Sequence, residues 1–108
     1  RGMGETLYIV DAGYALQFFH RGLFPATSEF DGNLRNRKCH EALFRRKLPC
    51  PWCRMPETLL SGKVERQVAH FPDSDGEERS CQVSFSPFGV GPGELPSVVC
   101  LLVDISTQ

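Results

Sequence analysis

The chain has 108 residues, of which 41% are hydrophobic, and its formal net charge is −1. This length fits one domain and excludes a two-domain enzyme, while the composition is that of a folded soluble protein. The near-zero charge excludes a chain-wide field for nonspecific nucleic-acid binding. Because no apolar run approaches the roughly 18 residues of a membrane span and no export signal is recognisable, we expect a cytoplasmic domain with no nucleic-acid or membrane partner.

The first half of the chain is predicted to hold a hairpin followed by short helices. Two β-rich runs, at 7–11 and 15–20, are separated by a turn signal and are typical of a hairpin. Prolines and glycines then interrupt the chain, so that only short helices fit, at 37–44 and 57–60. Gly62 is a typical C-terminal stop for the second of these helices.

Three strands are predicted in the second half, at 64–71, 79–88 and 98–105. Two strands, a helical block and three strands indicate an α+β fold with an antiparallel sheet. Since strands that follow one another usually pair, the last three should form a meander, with the N-terminal hairpin at its edge and the helices on one face. Residues 1–5 are interpreted as a cloning remnant or a cut linker.

Alternation in the last two strands predicts which side chains face the covered side of the sheet. These side chains are almost wholly apolar, and aromatic residues from the first half either leave a small cavity beside them or fill it. An open cavity would bind an apolar or aromatic ligand, whereas a cavity filled by these side chains would indicate a dimerisation element. The predicted lining residues are Phe18, Phe24, Cys81, Val83, Phe85, Val98, Cys100 and Leu102.

The order of these elements, with four short segments, resembles PAS domains, the sensory modules of bacterial signalling proteins. The segments are 8–13 (YIVDAG), 37–44 (RKCHEALF), 60–63 (LSGK) and 103–106 (VDIS). The likeness covers nearly the whole chain, and it implies a single PAS-like domain over 1–108 with a five-stranded antiparallel sheet and short helices on one face.

The resemblance also implies a function. It indicates a non-enzymatic sensory or relay domain cut from a larger bacterial transducer, a histidine kinase or a cyclic-dinucleotide enzyme. Such a domain senses a small ligand or a redox state or mediates dimerisation, and the resemblance suggests homodimers. Asp104, Ile105 and Ser106 match the terminal step that couples the last strand to a helical linker and an output domain, so the linker is expected to begin within 104–108. A carboxylate and a hydroxyl at a strand exit can fix the direction of the chain by bonding to backbone or to cations.

Cys39, Cys50 and Cys53 form the sharpest chemical pattern, C-x10-C-P-W-C. Four interpretations are open: packed reduced thiols, a zinc or other structural metal site, a thiol redox pair, and an iron–sulfur cluster. A metal-binding or thiol-redox module built on these residues is therefore the alternative function, and such a metal module could contact nucleic acid through its basic segment. Because seven cationic side chains lie in the segment 35–54, we expect lowered thiol pKa values.

The sequence argues against two organic cofactors. Flavin-binding PAS domains of the light-sensing class carry a reactive cysteine near the position of Cys39, but Cys81 and Leu102 stand where they carry an amide and a glutamine. A flavin would then have its polar edge buried without partners. Haem-binding members usually supply a histidine from the long helix, and 55–60 contains none. The cofactor is therefore unknown, with zinc or an iron–sulfur cluster as the open metal options.

Overall fold

Five strands and two short helices follow one another in the predicted order. The structure is a computed structural model, and it describes residues 5–20, 34–72, 75–89, 92–93 and 95–105. The elements are β1 (Glu5–Asp11), β2 (Leu16–His20), α1 (Cys39–Ala42), α2 (Met55–Ser61), β3 (Glu65–Pro72), β4 (Glu78–Phe88) and β5 (Ser97–Asp104). Glu5, which the sequence placed in a terminal remnant, is thus the first residue of β1.

The strands form one antiparallel sheet in the order β2-β1-β5-β4-β3. The last three strands pair as a meander and the N-terminal hairpin joins it through β1, which confirms the predicted architecture. β5 lies in the centre, between β1 and β4. A central strand has both backbone edges paired, and here the last of the described strands occupies that position.

Both helices are short, for identifiable local reasons. The helix predicted over 37–44 contains only Cys39–Ala42, because Lys38 is extended and forms a β-bridge to Ala15. α2 ends at Ser61 and is capped by Gly62, whose φ of 73° suits a residue without a side chain. The Gly62 N–H donates to the Thr58 carbonyl at 2.8 Å. In the described part of the chain, no helix is long and apolar enough to cross a membrane.

The core lies between one face of the sheet, here called the inner face, and the two helices. Met55 on α2 and Ala42 on α1 are buried against strand residues such as Phe85. The Thr58 hydroxyl donates to the Phe85 carbonyl at 3.1 Å and ties α2 to β4. The opposite face, here called the outer face, is not covered by any described element.

Candidate functional site

The six strand residues predicted to line the cavity do face the core. All are at most 2% exposed, and they belong to one continuous apolar cluster. Their placement is confirmed, and their contact with a ligand stays a prediction. The six residues are Cys81, Val83, Phe85, Val98, Cys100 and Leu102.

Phe18 does not line the core, and its assignment there was wrong. The register between β1 and β2 shifts between Ile9 and Val10, so that Val10 pairs with Leu16 while Ile9 pairs with Phe18. The extra residue, Gln17, moves Phe18 to the outer face, where it is 52% exposed. The other predicted aromatic residue, Phe24, lies outside the described residues.

The inner face offers few polar groups to a ligand. Among the described residues, the buried polar side chains are Thr6, His40 and Thr58, and the Thr58 hydroxyl already bonds to a carbonyl. The inward-facing residues of β4 and β5 are the six cavity residues listed above together with Arg79, Pro87 and Asp104. The two strands therefore present no side-chain amide to the core. These residues do not fit the polar edge of a flavin, which needs bonded partners when it is buried.

Four of the five cysteines lie within electrostatic range of Tyr8 and are here called the cysteine cluster. Cys39 comes from α1, Cys50 and Cys53 from the loop before α2, and Cys100 from β5. The other three thiols act electrostatically on Cys100, and Cys50 and Cys53 act on Cys39. Tyr8, the register partner of Cys100, hydrogen-bonds to its sulfur. Period-two alternation placed Cys100 on the inner face, but the sequence held no signal that β5 would bring it to the other three cysteines.

These thiols are more basic than the sequence suggested. Burial raises the pKa of Cys39 and of Cys50 to about 12, and it also raises the pKa of Cys53. Arg46 acts in the expected direction on Cys50, but desolvation of the thiolate outweighs it. The expectation that the cationic segment lowers the thiol pKa values was therefore wrong, because desolvation of the buried thiolates outweighs the seven cationic side chains, six of which are exposed.

The proposed metal ligands do not form a metal site in this arrangement. Across the described ranges, no three His, Cys, Asp or Glu side chains form a group that could hold a metal ion. The prediction for Cys39, Cys50 and Cys53 gains no support from this geometry. The fourth cysteine of the cluster, Cys100, does not complete a ligand set either.

Aromatic side chains lie beside Cys50. The Phe44 ring lies edge-on to Trp52 and to Phe71, with centroid distances of 5.1 and 5.0 Å. A cavity of about 220 Å³ opens beside them and is lined in part by Cys50 and Arg46. Small solutes can therefore approach the loop that carries Cys50.

At its C-terminal end, β5 is anchored to β4. The Asp104 carboxylate accepts from the Arg79 guanidinium at 3.4 Å, with its side chain only 3% exposed. The Ile105 N–H donates to the Ser80 carbonyl at 2.8 Å. Of the predicted relay residues, Asp104 and Ile105 thus lie where the chain leaves the sheet, and Ser106 is outside the described residues.

Comparison with known proteins identifies the fold. No protein-family model and no curated protein match the chain by sequence. Among solved structures, the Rhodobacter sphaeroides LOV protein superposes with a TM-score of 0.69 at 15% identity, covering 100% of this chain and 63% of that one. The LOV domain of the Erythrobacter litoralis EL346 blue-light activated histidine kinase gives 0.66 at 17% identity, covering 97% and 98%.

A structure of that histidine kinase gives 0.68 at 17% identity and covers 98% of this chain but 34% of the kinase. The chain thus spans less than two thirds of the Rhodobacter protein and about one third of the kinase. LOV domains are members of the PAS superfamily, and the chain has the PAS fold. At these identities the likeness concerns the fold alone.

Proposed function

We propose that this chain is a non-catalytic sensory and relay domain of a larger signal-transduction protein, in which a change in the core alters the path of the chain beyond β5. A histidine kinase is the parent that the comparisons favour. A cytoplasmic location and an output domain after a C-terminal linker complete this proposal.

One observation carries the proposal: the central strand β5 borders the core and also leads to the point where the chain leaves the sheet. Cys100 and Leu102 are buried on the inner face of β5, and two residues further Asp104 is paired with Arg79. A shift of β5 against β4 would therefore strain this ion pair, and breaking a largely buried pair is costly. The strand can transmit such a change only if a signal stabilises one of two packings.

Light sensing through a flavin is the second candidate, and it rests on the LOV structures. The neighbouring histidine kinase is described as blue-light activated, and Cys39 opens α1 with its side chain buried towards the core. Against it stands the apolar inner face of β4 and β5. An absorption spectrum of the freshly purified chain separates the two: flavin bands would favour light sensing and contradict the sequence argument against this cofactor.

The relay is tested by hydrogen exchange. Val83→Ala opens space in the core, whereas Ser84→Ala on the outer face is the matched control. We expect Val83→Ala to accelerate hydrogen exchange at the Ile105 amide, and this acceleration should be about tenfold larger than the one at the Leu16 amide. The Leu16 N–H donates to the Arg37 carbonyl at the far side of the sheet and serves as the reference. Equal acceleration at both amides would reflect global destabilisation and would contradict a relay.

A further inference from the structure

We propose that Cys50 and Cys53 form a reversible disulfide in response to hydrogen peroxide, so that the loop before α2 is a thiol modification site. This proposal stands independently of the relay. It starts from the backbone between the two cysteines and from the unequal access of solvent to the five thiols.

The chain makes a tight turn between these cysteines. The Cys53 N–H donates to the Cys50 carbonyl at 3.0 Å, which closes a turn around Pro51 and Trp52. The first and fourth Cα atoms of such a turn lie less than about 7 Å apart, and disulfides span about 4.4–6.8 Å. Pro51 stands at the second turn position, where its fixed φ favours the turn. The backbone therefore already holds the spacing that a disulfide needs.

The alternative partners are placed less favourably. Cys39 begins a helix and Cys100 lies in the middle of the central strand, each held by backbone hydrogen bonds and buried in the core. Cys81 lies further along the sheet, beside Asp104. A bridge between any of these and the turn would require movement of a regular element, whereas the turn itself belongs to neither a helix nor a strand.

Solvent access also favours the two cysteines of the turn as the site of oxidation. Cys53 is the single cysteine that is not buried, and Cys50 borders the cavity beside Trp52 and Arg46. Hydrogen peroxide is a small neutral molecule that can reach such a site. Cys53 is accordingly the thiol that reacts first, and Cys50 is the resolving thiol.

The chemistry balances with one peroxide. The Cys53 thiolate attacks one peroxide oxygen, the O–O bond breaks, and hydroxide leaves to become water, which gives a sulfenic acid. The Cys50 sulfur then attacks the Cys53 sulfur, the S–O bond breaks, and a second water leaves as the S–S bond forms. A dithiol reductant reverses the reaction.

The test is peptide mapping by mass spectrometry of the whole chain after graded hydrogen peroxide. We expect a Cys50–Cys53 crosslink, with two hydrogens lost, that returns to free thiols with dithiothreitol while Cys81 stays unmodified. Cys53→Ser should abolish the crosslink, and the matched control Cys81→Ser should leave it unchanged.

Two outcomes would overturn the proposal: a crosslink between Cys39 and Cys100 instead, or sulfinic acid at Cys53 without a disulfide. If Cys53→Ser fails to fold, the pattern of oxidation in the unsubstituted chain decides the question. Exchange at the Ile105 amide in the oxidised chain is a separate reading, which bears on the relay and not on the disulfide.

Discussion

The two faces of β5 are equally apolar but differ in what covers them. On the inner face, Val98 and Leu102 are fully buried under the helices, whereas Val99 and Leu101 on the outer face are half-buried with no described element over them. The neighbouring strand β4 differs, since its outer face carries Gln82 and serines. An alternating pattern therefore identifies the core side of β4, while in β5 the sequence alone does not separate the two faces.

The comparison teaches that burial and hydrophobicity are separate properties of a sheet face. An apolar outer patch extends from β5 across β1 to β2, with a groove of about 560 Å³ beside Phe18. Contiguous exposed apolar surface on a soluble domain commonly marks a contact site. The resemblance implies a homodimer, and we expect such a dimer to cover this patch. The patch consists of Leu7, Ile9, Phe18, Val99, Leu101 and Val103.

The largest expected effect separates the two faces directly. Leu102→Arg places a charge without a partner in the core and should lower the free energy of unfolding by about 3–5 kcal/mol or prevent folding. Leu101→Arg, one residue away, lets the guanidinium reach solvent and should cost less than about 1 kcal/mol. Urea denaturation of dilute protein measures both. Equal losses would show that the faces were assigned wrongly.

A smaller effect concerns association through the outer patch. Leu101→Arg should weaken a homodimer at least tenfold, about 1.4 kcal/mol, because both copies would bring the same charge to the contact. Gln82→Arg is the matched control on the polar part of the outer face. Analytical ultracentrifugation over a concentration series measures the dissociation constant. A dimer that Leu101→Arg leaves intact would have to use another surface.

The smallest expected effect is a pH dependence of the free energy of unfolding that arises from His40 on α1. Burial lowers the pKa of His40 from 6.5, and Lys38 and Arg46 act in the same direction while Glu41 opposes them. Its Nδ1 has no hydrogen-bond partner. His40 therefore binds a proton more readily in the unfolded chain than in the folded chain. The free energy of unfolding consequently falls as the pH drops through 6.5.

Replacing the ring tests this assignment. His40→Gln should flatten the loss of stability between about pH 7.5 and about pH 5.5, a loss limited to about 1.4 kcal/mol per pH unit for one proton. The control is His70→Gln, since His70 is exposed. Denaturation curves at both pH values give the answer, and an unchanged slope in His40→Gln would assign the pH dependence to other groups.

Much of the fold could be predicted from the sequence, because strand alternation and turn residues are local signals. The meander of the last three strands, the inner face of β4 and the stop at Gly62 followed from them, whereas the pairing of β1 with β5 did not. Phe18 did not, because the bulge at Gln17 depends on pairing with β1. The thiol pKa values were also beyond sequence reasoning, since nearby cations are visible in a sequence while the desolvation of Cys39 and Cys50 depends on packing.

The register of β1 with β5 has a consequence for larger proteins. Glu5 pairs with Val103, so the entry and the exit of the sheet lie side by side at one end. A domain of this shape can be inserted between two adjacent positions of a host without forcing them apart. Segments attached before Glu5 and after Asp104 would start as neighbours, so that a rotation of one segment would displace the other.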